Sequence, residues 1–296
     1  MDTSVVGVTH RFVELPGLRM HIAEAGHGEP VILAHGFPQN WWAWHQVIPA
    51  LAENFHVIAP DLRGTGQTDA PRNGYDRRSL TEDILNLANV MGFEKFNYVG
   101  HDWSGILGQQ LCLENPARVA KLVVLAIPPL GMKPSLKLIP PMLKHGWFEF
   151  LMPIPYLTPK LLGSGKQPLA RYLLSMSPYD KSAFTADDIE QYISPLREPA
   201  RAKAGRTLYN KYIVPEGMGI MKGTYRHQKL TPHSLFIMGE QDDIMPPDAI
   251  GGYENYLQNG TLQFIDQAGH FLVDHQPELV TQLIREVLTA PAPAQY

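Results

Sequence analysis

Ten residues join a strand pattern to a helix pattern: Phe96-Asn97-Tyr98-Val99-Gly100-His101-Asp102-Trp103-Ser104-Gly105. The strand is the apolar run before Gly100, and the helix pattern covers Ile106 to Leu113. Small residues on both sides of Asp102 allow a strand to turn sharply into a helix, so the side chain at the apex points into a pocket. The segment therefore predicts a nucleophile elbow that carries an aspartate.

Apolar segments with strand character recur on both sides of this turn. They cover 11–15, 18–23, 31–34, 56–61, 96–99, 122–127, 234–238 and 262–265. Helix patterns cover 44–51, 79–91 with Ser79 as its cap, 106–113 and 277–288. The first two strands flank Pro16-Gly17, which predicts a hairpin. Strands that alternate with helices predict an α/β fold, with a mostly parallel eight-stranded sheet flanked by helices.

The pattern changes after Ile127. Residues 128–230 contain many prolines and methionines and several short helix patterns, but few strand signals. This predicts a helical cap inserted after the sixth strand. The expected division is an α/β core of residues 1–129 and 231–296, with a cap of residues 130–230.

Composition limits the function classes. The net charge is −4 and no run of five like charges occurs, so no nucleic-acid partner is expected. The single cysteine, Cys112, allows no intrachain disulfide. The chain lacks a signal-peptide pattern and any apolar run of membrane-spanning length, so we expect a cytoplasmic location and no membrane partner. A homodimer is left open.

Four chain segments follow predicted strands and should meet at one edge of the sheet, where α/β sheets bind ligands. They are His35-Gly36-Phe37-Pro38, Gly100 to Gly105, Gly239-Glu240-Gln241-Asp242 and Ala268-Gly269-His270-Phe271. Together they deliver an aspartate, a histidine and a second acid. The order nucleophile, acid, histidine is the one expected for a sheet of this kind.

These residue types suit a covalent mechanism. A carboxylate at position 102 is already ionised near neutral pH, so it can attack an electrophilic carbon directly. His270 can then deprotonate a water that attacks the resulting ester, while Asp242 orients the histidine ring. Asp243 is the alternative acid, and the Gly-x-x-Asp spacing favours Asp242.

Two further groups belong to this predicted site. The backbone N–H groups of Phe37 and Trp103 are expected to form an oxyanion hole. His35 is interpreted as a residue that braces its loop beside the pocket, rather than as an acid or base.

The motifs resemble those of soluble epoxide hydrolases with the α/β-hydrolase fold. They are His35-Gly36-Phe37-Pro38-Gln39-Asn40, Pro60-Asp61-Leu62-Arg63-Gly64-Thr65-Gly66, Gly100-His101-Asp102-Trp103, and Gly269-His270 with Gln276-Pro277-Glu278. The resemblance spans residues 10–288. It implies hydrolysis of a small apolar epoxide to a vicinal diol through a hydroxyalkyl ester on Asp102, without a cofactor or a metal.

The resemblance also implies two cap tyrosines that hydrogen-bond the epoxide oxygen. Tyr209 is the best candidate for one of them, and Tyr212 is the next. The other should lie near Trp147-Phe148-Glu149, where the sequence offers no tyrosine, so Tyr156, Tyr172, Tyr179 and His145 remain alternatives. The expected pocket residues are His35, Pro38, Trp147 and Tyr212. The substrate itself and the enantiopreference are not predicted.

Three other functions remain open. A haloalkane-type dehalogenase uses the same triad, and Trp103 and Trp147 could supply its indole N–H donors. However, Phe37 stands where many of those enzymes have asparagine, and the arginines of the fluoroacetate type are missing after Asp102. A serine esterase would need Ser104, which lies two residues past the apex. A catalytically silent binding protein is the third alternative.

Overall fold

The computed structural model describes residues 4–176 and 183–291. Within these residues a single sheet of eight strands forms the centre of the fold. The strands are β1 (Thr9–Leu15), β2 (Leu18–Ala25), β3 (Glu29–Ala34), β4 (Phe55–Pro60), β5 (Phe96–His101), β6 (Val119–Leu125), β7 (His233–Gly239) and β8 (Gly260–Ile265).

The strands lie in the order β1-β2-β4-β3-β5-β6-β7-β8. β1 and β2 form the predicted antiparallel hairpin, and β2 is also antiparallel to β4. Every pair from β4 across to β8 is parallel. The predicted mostly parallel α/β sheet is therefore confirmed. Because β5 lies between β3 and β6, the turn after β5 opens at the middle of the carboxyl edge of the sheet, where such sheets bind ligands.

Helices pack on this sheet and form a separate group after β6. They are α1 (Ile48–Leu51), α2 (Arg77–Val90), α3 (Trp103–Glu114), α4 (Ile139–His145), α5 (Trp147–Leu151), α6 (Leu157–Gly163), α7 (Pro168–Leu174), α8 (Ala186–Ile193), α9 (Pro199–Leu208), α10 (Val214–Lys222), α11 (Leu272–His275) and α12 (Pro277–Thr289). Ten of the twelve residues of α3 are buried, so α3 is a core helix that holds the residue before it in a fixed position.

Two helix predictions need correction. The predicted helix over 44–51 is a 3-10 turn, Trp41–Trp44, followed by the single turn α1. Pro49 has no N–H to bond back to the preceding turn, so a continuous helix cannot form there. The cap of α2 is Asp76 and not Ser79, because the Asp76 carboxylate accepts hydrogen bonds from the backbone N–H and the hydroxyl of Ser79 (3.1 and 3.0 Å).

The chain between β6 and β7 is helical in the described residues and carries α4 to α10. A π-helical turn, Tyr209–Ile213, separates α9 from α10. α9 reaches the edge of the sheet, since a Cβ at Gly205 would lie only 2.8 Å from the Phe37 ring. The region predicted as the cap therefore contacts the loop that follows β3. Among the described helices, none combines the length and apolar character needed to cross a bilayer.

Candidate active site

Asp102 lies at the turn between β5 and α3, with φ 56° and ψ −136°. An L-residue adopts such angles only where the surrounding structure imposes them. A Cβ at Gly100 would lie 2.6 Å from the Ser104 carbonyl oxygen, and one at Gly105 would lie 2.7 Å from the Val124 side chain. The turn therefore requires glycine at both positions, which are the two that the elbow prediction used.

Ser104 is part of the support of this turn. Its hydroxyl donates to the carbonyl oxygens of Ala34 (2.7 Å) and His101 (2.8 Å), and its side chain is fully buried. The hydroxyl ties the start of α3 to β3 and β5. It does not face His270, so the geometry gives the serine-esterase alternative no support.

His270 lies between two carboxylates. Its Nε2 is 3.4 Å from Asp102 Oδ2, and its Nδ1 is 3.2 Å from Asp242 Oδ2. The other Asp242 oxygen accepts from the backbone N–H groups of Ile244 (2.8 Å) and Met245 (3.1 Å), so the acid is held rigidly. The structure thus brings together the three residues that the sequence proposed as a triad.

Asp243, the alternative acid, points elsewhere. Its carboxylate lies 3.9 Å from His145 Nε2, and 42% of its side chain is exposed. Asp242 is 2% exposed. His145, one alternative ring-opening donor, therefore faces Asp243 and not the nucleophile. The geometry favours Asp242 as the partner of His270, as the spacing predicts.

Burial and charge set the protonation of the triad. Burial opposes ionisation of Asp102, but the hydrogen bond and the charge of His270 outweigh it and keep the Asp102 pKa below its usual range. Burial also opposes the charged form of His270, but Asp242 and then Asp102 outweigh it and raise the His270 pKa well above 6.5. Protein surrounds the Asp102 carboxylate, yet 24% of its side chain stays accessible, as expected at the floor of a cleft.

The loop after β3 supplies a donor to the nucleophile. The Phe37 N–H donates to Asp102 Oδ1 (3.0 Å). Trp103 is the first residue of α3, so its N–H has no acceptor within the helix. These are the two backbone groups that the sequence proposed for the oxyanion hole.

A network of buried polar side chains next to His270 was not predicted from the sequence. His101 lies between two acceptors, with its Nε2 2.9 Å from the His270 carbonyl oxygen and its Nδ1 3.0 Å from Gln39 Oε1. Gln39 Nε2 donates to Asp274 (3.4 Å), which accepts from the Tyr192 hydroxyl of α8 (3.0 Å). Burial lowers the His101 pKa to about 4 and raises the Asp274 pKa to about 8. This hydrogen-bonded network connects α8 of the predicted cap to the loop that carries His270.

Tyr209 and Glu149 are the cap groups with charge interactions to Asp102. Burial, the Asp102 charge and then the Glu149 charge raise the Tyr209 pKa well above 10. Glu149 is solvent-exposed, but the protein around its carboxyl, together with the Asp102 charge, still raises its pKa. The Tyr209 ring packs edge-on against Phe37 (5.4 Å between centroids) and Phe148 (6.1 Å). Glu149 was missed because the sequence reasoning searched this segment for a tyrosine.

Two predicted pocket residues need revision. The Tyr212 hydroxyl donates to Gln110 Oε1 (2.8 Å), and its fully buried ring packs against Trp103, so it ties α3 to the cap. His35 is fully buried, and its Nε2 accepts from the Leu62 N–H (3.1 Å). Neither group faces open space. The loop-bracing interpretation of His35 agrees with these contacts, but a pocket-lining role does not.

The remaining predicted residues lie in varied surroundings. Pro38 is buried beside the oxyanion loop. Trp147 is 45% exposed, and its indole N–H donates to the Tyr172 hydroxyl (2.7 Å), so this N–H is not a free donor for the pocket. Tyr156 is 90% exposed. Tyr179 lies outside the described residues.

The described residues contain no group of three or more His, Cys, Asp or Glu side chains that could hold a metal ion. The chemistry available at this edge of the sheet comes from the carboxylates, the imidazole, the backbone amides and the two cap groups.

Comparisons with known proteins find relatives in sequence and in fold. A family profile described as alpha/beta hydrolase fold matches residues 29–277. The chain is 29% identical to a soluble epoxide hydrolase of Corynebacterium sp. (strain C12), over 92% of this chain and 94% of that protein. It is 31% identical to epoxide hydrolase A of Mycobacterium tuberculosis, over 95% and 97%. The crystal structure of ALR0039 from Nostoc sp. PCC 7120 superposes with a TM-score of 0.84 at 28% identity, over 97% of this chain and all of that one.

Proposed function

Because the chain belongs to the alpha/beta hydrolase fold family, we propose that it hydrolyses an epoxide to a vicinal diol through a covalent ester on Asp102. The resemblance to soluble epoxide hydrolases is confirmed by the curated relatives. The observation that carries the proposal is the position of His270, between a carboxylate at a strained strand-to-helix turn and a second, buried carboxylate.

The first step is ring opening by Asp102. Oδ1 accepts from the Phe37 N–H, so we assign the attack on the epoxide carbon to Oδ2. The C–O bond of the ring breaks, and its oxygen becomes an alkoxide that needs a proton. Alkylation gives a neutral ester whose carbonyl oxygen is Oδ1, still beside its backbone donor.

The second step is hydrolysis of this ester. Once Oδ2 carries the substrate, it no longer attracts His270 as an anion, and the His270 pKa falls. The imidazole can then take a proton from a water that attacks the Asp102 carboxyl carbon. Negative charge develops on Oδ1, where the N–H groups of Phe37 and Trp103 stabilise it. When this intermediate collapses, the bond from the carboxyl carbon to Oδ2 breaks and the protonated His270 gives its proton to Oδ2, which leaves as the second hydroxyl of the diol. The proton that the attacking water leaves on the carboxyl group returns to the cap donor, and the carboxylate is restored.

The proton for the alkoxide comes from the cap. Tyr209 remains a neutral hydroxyl because burial and the Asp102 charge raise its pKa. The raised Glu149 pKa favours a protonated carboxyl group beside the same charge. We therefore assign Tyr209 and Glu149 as the two donors to the epoxide oxygen, with Glu149 in the segment where the family resemblance leads one to expect a tyrosine.

A dehalogenase is the second candidate, and one observation favours it. The indole N–H of Trp103, the residue after Asp102, is buried with no hydrogen-bond partner among the described residues, and a halide is an acceptor that such a donor could bind. Against it, the indole of Trp147 is already paired with Tyr172, which leaves one donor instead of two. Epoxide opening is therefore the better-supported reaction, because the alkoxide that it forms needs the proton donors assigned to Tyr209 and Glu149.

Product analysis separates the two functions. The purified protein is incubated with styrene oxide and, separately, with 1-chlorobutane, and diol and chloride are measured. We expect diol from the epoxide and little chloride. Asp102→Asn should abolish diol formation because a neutral amide is a poor nucleophile. Chloride release without diol would establish the dehalogenase, and diol formation at the wild-type rate by Asp102→Asn would exclude the covalent mechanism.

A further inference from the structure

The cap exposes an unusual amount of apolar surface. Among the described residues, eleven of the fourteen large apolar side chains with high exposure lie between positions 136 and 221. We use the name apolar cap face for the six on α4, on α5 and just before α4. They are Leu136, Ile139, Met142, Leu143, Trp147 and Phe150. Exposed apolar patches of this kind mark interaction sites.

These side chains form one surface. α4 has no buried residue, and positions 139, 142 and 143 lie on one side of it, because residues three and four apart are neighbours on a helix. Leu143 is 78% exposed and Phe150 on α5 is 82% exposed. Leu138, between Leu136 and Ile139, packs in a small cluster with Ile220 of α10. α10, which also exposes Met218 and Met221, therefore packs next to the start of α4.

Charge is divided unevenly between the cap and the rest of the chain. Residues 130–230 contain 15 Lys and Arg against 7 Asp and Glu, a net charge of +8, whereas the rest of the chain carries −12. Lys144, Lys160, Lys211 and Lys222 are exposed and make no ion pair with another described residue. The apolar cap face thus belongs to the basic part of an acidic protein, and Lys144 lies on α4 itself.

We propose that the apolar cap face docks on an anionic lipid surface. Helices that lie on membranes combine Leu, Trp and Phe with lysines, as this segment does, and each lysine near an anionic surface strengthens binding about fivefold. A second copy is a poorer occupant, since a two-fold interface through this face would bring two caps of charge +8 together. Lying on a surface needs no spanning helix, so this proposal replaces the sequence expectation of no membrane partner, which rested on the lack of a membrane-spanning run.

The face borders the candidate site. Glu149, between Trp147 and Phe150 on α5, interacts electrostatically with Asp102, so docking would bring this side of the site close to the lipid. An apolar substrate concentrates in the lipid. The docking itself does not depend on the proposed reaction.

Vesicle co-sedimentation tests the proposal. The wild-type protein and a Leu143→Ser/Phe150→Ser variant are mixed with vesicles of phosphatidylcholine alone and with vesicles that also contain phosphatidylglycerol. We expect binding to the anionic vesicles, weakened by salt, and about tenfold weaker binding by the variant, since two large side chains no longer bury in lipid. Val6→Ser/Val90→Ser, which removes exposed apolar side chains outside the cap, should bind like the wild type.

All four side chains are exposed, so thermal unfolding of each variant should show that the fold is retained. Three results would overturn the proposal: no binding to anionic vesicles, equal loss of binding in both double variants, or a wild-type dimer that Leu143→Ser/Phe150→Ser converts to monomer without vesicle binding.

Discussion

His270 contacts a different carboxylate through each ring nitrogen. In the proposed mechanism, the attack by Asp102 needs no base, whereas hydrolysis of the ester does, so replacing His270 should separate the two steps. We expect His270→Gln to form the alkyl-enzyme at a rate near that of the wild type but to hydrolyse it at least about 10²-fold more slowly. Intact-mass spectrometry after addition of styrene oxide should then show an adduct of one substrate mass. An inactive variant without adduct would mean that His270 is needed before the ester forms.

Glu149 should impose a pH limit on ring opening. The step needs Asp102 ionised and Glu149 protonated. The Asp102 pKa is lowered and the Glu149 pKa is raised, so the reactive form exists between the two values. In rapid-quench measurements on the wild-type protein, where His270 keeps the Asp102 pKa low, the rate of adduct formation should fall as pH rises through the Glu149 pKa, and Glu149→Gln should remove this fall.

Tyr209→Phe provides the matched comparison. It removes the other proposed donor, so it should lower the rate of adduct formation at every pH and keep the fall that Glu149 causes. An unchanged pH profile in Glu149→Gln would show that Glu149 only lines the pocket mouth.

At the scale of the elements, the elbow glycine and a cap glycine should respond in opposite directions. Gly105→Ala brings a Cβ to 2.7 Å from Val124, so we expect a loss of about 1–3 kcal/mol in the free energy of unfolding. Gly217 lies within α10 with nothing within 4 Å of the added Cβ. Gly217→Ala should therefore stabilise by about 0.5–1 kcal/mol. Urea unfolding measures both, and equal effects would show that the elbow is not tightly packed.

The strands and the turn that carries Asp102 were predictable because their signals are local. The apolar run before Gly100 and the glycines around Asp102 lie within ten residues, and they specify both β5 and the turn. The helix over 44–51 failed because Pro49 breaks a pattern that apolar spacing alone supports.

The groups that sequence reasoning missed depend on contacts between distant segments. Asp274 accepts from Tyr192, 82 positions away, and Glu149 faces Asp102 only after the cap has docked. The spacing of residues along the sequence does not indicate which distant side chains come into contact. The same reason explains why Tyr212, similar to Tyr209 in sequence context, was misassigned to the pocket.

At the scale of the whole molecule, the protonation of Asp274 should make the stability of the contact between cap and core depend on pH. Burial raises its pKa to about 8 in the folded protein, whereas the unfolded chain ionises it near 3.8. Between these values the folded state binds one more proton, so this group's contribution to stability is present below pH 4 and is lost as pH rises through 8.

Asp274→Asn should remove this loss, since an asparagine keeps an acceptor for Tyr192 and carries no charge. We expect its Tm to exceed that of the wild type at pH 9 by at least a few degrees, about 2–4 °C per kcal/mol for a chain of this size. The difference should be smaller at pH 5. A Tm difference that does not change with pH would contradict the assignment.

Isotope tracing tests the covalent ester most directly. The protein, in excess over styrene oxide, completes a single turnover in H₂¹⁸O, and mass spectrometry measures the diol and the peptide that contains Asp102. The mechanism predicts an unlabelled diol and ¹⁸O in the Asp102 carboxylate, because water attacks the carboxyl carbon and Oδ2 leaves with the product. Label in the first-turnover diol, with none in the peptide, would show that water opens the epoxide directly and would contradict the role assigned to Asp102.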